Sequence, residues 1–109
     1  MRMSRFLISF KLNSALWPVD PKIALKAAET NFAASDEMIK AGVIKDMGSF
    51  NPGDGFMIVE LPSLEEAYKL SHRFYPHMTV EIREIVSWEK TKEIALSVLR
   101  EQAKRALQI

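Results

Sequence analysis

The sequence contains no cysteine, which excludes disulfides, thiolate metal sites, iron–sulfur clusters and a cysteine nucleophile. Net charge is almost absent as well. Fifteen Lys and Arg stand against 14 Asp and Glu, leaving +1, without the concentrated basic surface of a phosphate-driven nucleic-acid binder. Glycine is scarce, and Gly42, Gly48, Gly53 and Gly55 form no phosphate-binding fingerprint. The longest early apolar run, Phe6 to Phe10, is too short and too interrupted for a signal peptide or a membrane span, so the expectation is a cytoplasmic protein. Histidine is limited to His72 and His77, which lack the i,i+4 spacing of a helical metal pair and have no acidic cluster around them. No metal site is expected.

What is present describes one soluble globular domain over residues 1–109: 48% apolar and 27% charged residues, with no repeat or low-complexity linker. Residues 5–12 alternate, with Phe6, Ile8, Phe10 and Leu12 on one face and Leu7, Ser9 and Lys11 on the other, the pattern of a strand. Asp20-Pro21 starts a helix over 20–41. Ile23, Ala27, Ala28, Phe32, Ser35 and Ile39 form its expected buried stripe, and Gly42 supplies the left-handed position after its end. Residues 43–50 and 56–61 read as strands joined by the Asn51–Gly55 reversal, the second apolar enough to be central. Ser63 to Glu66 after Pro62 has the form of a capping box. It opens a helix whose stripe is Leu64, Ala67, Tyr68, Ser71 and Phe74, ending near Tyr75-Pro76. Residues 78–86 form a fourth strand, with Met78, Val80 and Ile82 facing one way and Thr79, Glu81 and Arg83 the other. Ser87 caps a last helix of about twenty residues, in which Glu101 and Arg105 form an i,i+4 pair.

The order β-α-β-β-α-β-α is an α+β, ferredoxin-like arrangement with an added C-terminal helix. Its core helices cover one sheet face. The other face is left with Leu7, Phe56, Ile58 and Ile44 beside Ser9, Lys11, Glu60, Thr79, Glu81 and Arg83. That much apolar area attracts a partner. A second copy of the same sheet, related by a two-fold axis, would supply one and close a dimeric α/β barrel. Any pocket would then lie between sheets or between sheet and helices. The last helix, mixed in charge and Ala-rich, is unsuited to a membrane surface and is expected to reach across to another protomer.

The stretch Met57-Ile58-Val59-Glu60-Leu61-Pro62-Ser63-Leu64-Glu65-Glu66-Ala67, followed by Phe74-Tyr75-Pro76-His77-Met78-Thr79-Val80-Glu81-Ile82, resembles the muconolactone isomerase family of the dimeric α/β-barrel superfamily. The likeness covers residues 5–86 and is sharpest from Phe74 to Ile82. His77 stands where the family has an aromatic, and the long last helix is a departure from it. The resemblance implies a homo-oligomer of at least two copies, no cofactor, and proton transfer on an unsaturated lactone or related carboxylate. The same superfamily includes monooxygenases, haem enzymes and proteins without known activity, so the fold does not select among them.

Such a proton transfer needs a base of near-neutral pKa, a donor or cation for the developing enolate, and exclusion of water. Glu81 and Glu60 are the candidate bases. Arg83 and Lys11 would hold a substrate carboxylate, with Ser9, Phe56, Ile58 and Tyr75 lining the site. Burial would raise the pKa of a carboxylate there, and a neighbouring Lys or Arg would lower it again. His77, after Pro76 at a strand entrance, could serve as acid, base or the single ligand of a haem iron. Trp17 could line a pocket mouth. The plainer readings are ion pairs for Glu81 and Arg83, a solvated loop for His77, a surface position for His72, packing for Trp17 and Tyr75, and turn chemistry for Asp54. A non-catalytic ligand-binding or assembly protein on the same barrel is the competing function, and a haem or flavin protein, which would be coloured, a third. In the enzyme reading, Glu81→Gln or Glu60→Gln sharply lowers turnover in a steady-state assay while the melting temperature stays nearly unchanged; full turnover in both variants would eliminate them as bases.

Overall fold

A computed structural model describes residues 2–13, 15, 18–51, 53–74 and 78–107, without the side chains at 73 and 74. Trp17, Tyr75, Pro76 and His77 therefore lie outside the described residues. The elements run β1 (Ser4–Leu12), α1 (Pro21–Lys40), β2 (Ile44–Asn51), β3 (Asp54–Leu61), α2 (Leu64–Phe74), β4 (Met78–Ile85) and α3 (Trp88–Leu107). All strand pairs are antiparallel, in the order β2-β3-β1-β4. The result is an α+β fold of four strands and three helices, compatible with a ferredoxin-like plan. Among the described residues no helix is long and apolar enough to cross a membrane.

The local signals act as their chemistry requires. The Lys22 amide donates to Asp20 Oδ1 at 2.9 Å, and Pro21, lacking a donor, takes the first helical position. At the other end of α1, Gly42 adopts φ +79, the left-handed conformation that glycine enters without a Cβ clash. The Glu66 amide donates to Ser63 Oγ at 3.2 Å, half of the expected capping box. The return bond is replaced by an ion pair, since the Glu66 carboxylate lies 3.6 Å from Lys69 Nζ. Ser87 Oγ accepts from the Lys90 amide at 3.1 Å and starts α3. Asn51 pairs directly with Asp54, so the β2–β3 reversal is tighter than Asn51–Gly55, with Gly53 at φ +85.

Register decides which residues form the core. Phe6 opposes Val59 and Ile8 opposes Met57, so the alternations of β1 and β3 fall on one face. There these four residues are buried with Ile44 and Ala67. Ile44 is a correction: it pairs with Val59 and belongs to the core, not to the open face. A register shift between Ile44 and Asp46 then places Asp46 beside Ile58. α2 contributes Ala67 and Ser71, whose Oγ donates to the Ala67 carbonyl at 2.9 Å, while Leu64 and Tyr68 are exposed. The expected stripe of α2 is thus centred too far toward those two side chains.

The stripe of α1 is also displaced. Its inward side is Ala24, Ala27, Ala28, Asn31, Ala34, Ser35 and Met38, whereas Ile23, Phe32 and Ile39 are exposed. α1 packs against β2 and α2 rather than over the middle of the sheet, so small residues suffice beneath it and its larger apolar groups remain outside. α3 departs furthest from a compact plan. None of its residues is buried, and among the described residues it packs against no other element. The radius of gyration is 19.0 Å, against about 13 Å for a compact domain of this length.

Two glycines on the hairpin make different demands. A Cβ at Gly55 would meet the Gly48 carbonyl oxygen and the Phe10 ring, each at 2.7 Å, whereas one at Gly48 would meet only the outer edge of the Phe56 ring, at 3.0 Å. Gly55→Ala should therefore cost about 1–3 kcal/mol as an overpacked site, visible as a melting temperature lowered by several degrees. Gly48→Ala should cost less, because the Phe56 ring can swing; equal losses in the two variants would refute the distinction.

Candidate functional site

The open sheet face is built from residues that alternate with the core. Its rows follow from the pairing: Glu60–Arg5–Ile85, then Asp46–Ile58–Leu7–Arg83, then Gly48–Phe56–Ser9–Glu81, then Asp54–Lys11–Thr79. Leu7, Phe56, Ile58 and Ser9 are half-buried on it, and Lys11, Glu81 and Arg83 are exposed. The exposed Phe50 ring stands 5.3 Å from the Phe56 ring, centroid to centroid, and extends the apolar strip. Every described site residue expected from the sequence lies on this face. Tyr75 and His77 fall outside the described residues.

Sharing a face does not bring the two acids together. Glu60 is on β3 and Glu81 on β4, with β1 between them, and their β1 partners Arg5 and Ser9 are four residues apart. Strand spacing and rise separate them by roughly 16 Å, too far to act on one small substrate. Two separate charge groups result. Glu60 accepts from Arg5 at 2.7 Å and lies 3.6 Å from Lys45 Nζ. The Arg5 hydrogen bond, helped by the charge of Lys45, holds the Glu60 carboxyl below its ordinary range despite some desolvation. A carboxyl so lowered is a poor general base at neutral pH. Glu81 accepts from Arg83 Nη2 at 2.6 Å and from Nε at 3.1 Å, an ion pair on one strand with both partners exposed.

Beside Glu81 the face dips into a shallow depression of about 280 Å³, bordered by Ser9, Lys11, Phe50, Asp54 and Thr79. Several of the expected polar residues meet there, and it is open to solvent. A larger cleft of about 460 Å³ lies on the other side of the sheet, beneath α1. Its walls are Phe10, Leu12, Ala28, Phe32, Met47 and Met78, with Asn31, Ser49, Asn51 and Asp54 as polar groups. Sequence reasoning did not single out this cleft. Its signal was the small residues Ala28, Gly48 and Gly53 facing large apolar ones, which alternation alone treats as ordinary core. Among the described residues no group of three or more His, Asp and Glu is placed to hold a metal ion. No family model matches the chain, and no curated protein is similar to it.

The lowered Glu60 pKa fixes the sign of a pH effect. Ionised Glu60 favours the folded state above the ordinary carboxyl pKa near 4.5, and that contribution fades as pH falls through the lower folded value. Glu60→Gln should therefore melt slightly below the parent at neutral pH, with the gap closing as pH falls below the ordinary carboxyl range. A gap unchanged across that range would show that the Arg5–Glu60 pair contributes nothing through charge.

Proposed function

We propose that the chain is a homo-oligomeric small-molecule-binding protein, and that its ligand occupies the cleft between α1 and the sheet. The observation that carries this reading is the cleft itself: about 460 Å³ with mostly apolar walls and a few polar groups at the hairpin end, the size and character of small-molecule sites. Asp54 is the only charged residue among its described lining, so it suits a neutral, largely apolar molecule with a hydrogen-bond donor at one end. A carboxylate would be repelled there. In this reading the open faces of two copies meet in a dimeric α/β barrel, as the likeness to the muconolactone isomerases suggests. A self-complementary two-fold arrangement is supported by acidic and basic partners on both flanks of the Leu7–Ile58 strip, Arg5 with Glu60 and Arg83 with Glu81.

A second reading keeps the isomerase chemistry. It is favoured by the depression where Glu81, Lys11, Ser9 and Thr79 gather. A second sheet would exclude water from that depression, leaving Glu81 as the base and Lys11 and Arg83 for a substrate carboxylate.

The readings separate in a thermal-shift series pairing neutral lactones and aromatic alcohols with their carboxylate analogues. Ligand at a hundred times Kd adds about 2.7 kcal/mol, several degrees for a domain of this size. Cleft binding predicts shifts from the neutral compounds, abolished by the cleft-filling Ala28→Trp. Shifts confined to carboxylates, lost in Lys11→Ala and kept in Ala28→Trp, would overturn it in favour of the open-face site; a flat series would overturn both.

A further inference from the structure

We infer that α3 is an assembly arm whose apolar stripe packs along the exposed flank of α1 in a second copy, closing the outer side of that copy's cleft. The inference rests on the homo-oligomeric part of the preceding proposal and does not depend on the ligand.

Area comes first. The chain exposes 8312 Å², whereas a compact monomer of its mass exposes roughly 6,100 Å². The excess of about 2,000 Å² per copy, doubled, falls within the range buried by obligate homodimers. Much of it belongs to α3, which has no packing partner on its own body.

Two stripes are then left to match. On α1, Leu25, Phe32 and Ile39 recur every seven residues and are 61%, 67% and 47% exposed, while the small Ala28 and Ser35 between them turn inward. On α3, Trp88, Ala95, Leu99 and Ala106 recur at alternating spacings of seven and four, bulky and small in turn. Both helices are 20 residues long, about 30 Å each. Two such stripes mesh along their length at a shallow crossing angle. The charges agree as well. Glu29 and Asp36 border the α1 stripe, each four residues after one of its large members, while Lys92, four residues after Trp88, is the charge nearest the α3 stripe.

Reach is sufficient. In a pair of facing sheets, the partner's helix layer lies about 20 Å beyond the sheet that α3 leaves, within the span of this helix. Phe32 belongs both to the α1 flank and to the lining of the cleft. A helix seated there would cover the cleft's outer side, so that each site is completed by the second copy.

The absence of cysteine makes a clean test. Phe32→Cys and Leu99→Cys are prepared as separate full-length chains of different tag size, mixed, and oxidised. Both positions are more than half exposed in the monomer, so its fold tolerates them, and each lies near the middle of its helix, so they meet whichever way the helices run. The expected result is a disulfide-linked heterodimer forming roughly tenfold faster than from Leu99→Cys mixed with Glu37→Cys, which lies off the stripe. Rapid homodimers of Leu99→Cys alone would show α3 pairing with α3 and overturn the inference. A monomeric disulfide in the Phe32→Cys/Leu99→Cys double variant, without heterodimer in the mixture, would show α3 folding back on its own chain and overturn it equally. The ligand series is read separately: cross-linking without ligand shifts leaves the arm standing and removes the cleft reading, and shifts without cross-linking do the reverse.

Discussion

The rest of the structure depends on the alternation in β1 and β3, which sets Phe6, Ile8, Met57 and Val59 on one side of the sheet and Leu7, Ser9, Phe56 and Ile58 on the other. Side chains on a strand alternate with period two, so burying one set exposes the other. The core face is largely apolar and takes α2. Too few elements remain to cover both faces: α1 sits toward the β2 side of the sheet and α3 is away from the body. Both unusual features, the cleft beneath α1 and the mixed open face, follow from one sheet having less helix packed on it than the apolar residues of its two faces could use.

The alternation was legible in the sequence because it is local. Phe6 and Ile8 need no partner to declare a face, and Asp20-Pro21, Ser63 and Ser87 marked their helix starts by chemistry confined to one turn. Ile44 was misplaced because a register shift sits between it and Asp46, and a parity count along β2 fails once an extra residue enters the ladder. Phe32 and Ile39 were misplaced for another reason. The expected stripe of α1 joined Ile23, Phe32 and Ile39 to Ala27, Ala28 and Ser35, whereas contact with β2 and α2 keeps only the small members and adds Ala24, Ala34 and Met38. Size is a guide to the buried side of a helix only where there is depth to fill.

The candidate site divides in the same way. That Glu60, Glu81, Arg83 and Lys11 share a face could be read from parity. That Glu60 and Glu81 stand two strands and four residues apart could not, because it requires strand order and register together. Arg5 was read only as the residue beginning β1, yet it sets the chemistry of Glu60 through a 2.7 Å hydrogen bond. A carboxylate's usefulness as a base is decided by its partner, and here the partner comes from a residue 55 positions away. The cleft under α1 is least legible of all, since it is space left over from how two elements fail to close on each other.

Among the described residues, six apolar side chains make up the fully buried core, while large apolar side chains on α1 and α3 and the strip on the open face are partly or wholly exposed. Small domains already bury a smaller share of their surface than large ones and are correspondingly marginal. A chain that leaves a 20-residue helix unpacked gives up still more of that burial. An isolated helix of this length is itself of marginal stability in water, and packing of an apolar side is what ordinarily sustains it. The i,i+3 and i,i+4 ion pairs along α3, from Lys92–Glu89 to Arg105–Glu101, contribute only tenths of a kcal/mol each. They favour the helical form of α3 without giving it a place to pack. The burial missing within one copy is thus of the kind and extent that contact between copies supplies. In the proposed assembly, fold stability and site formation would be two consequences of the same association.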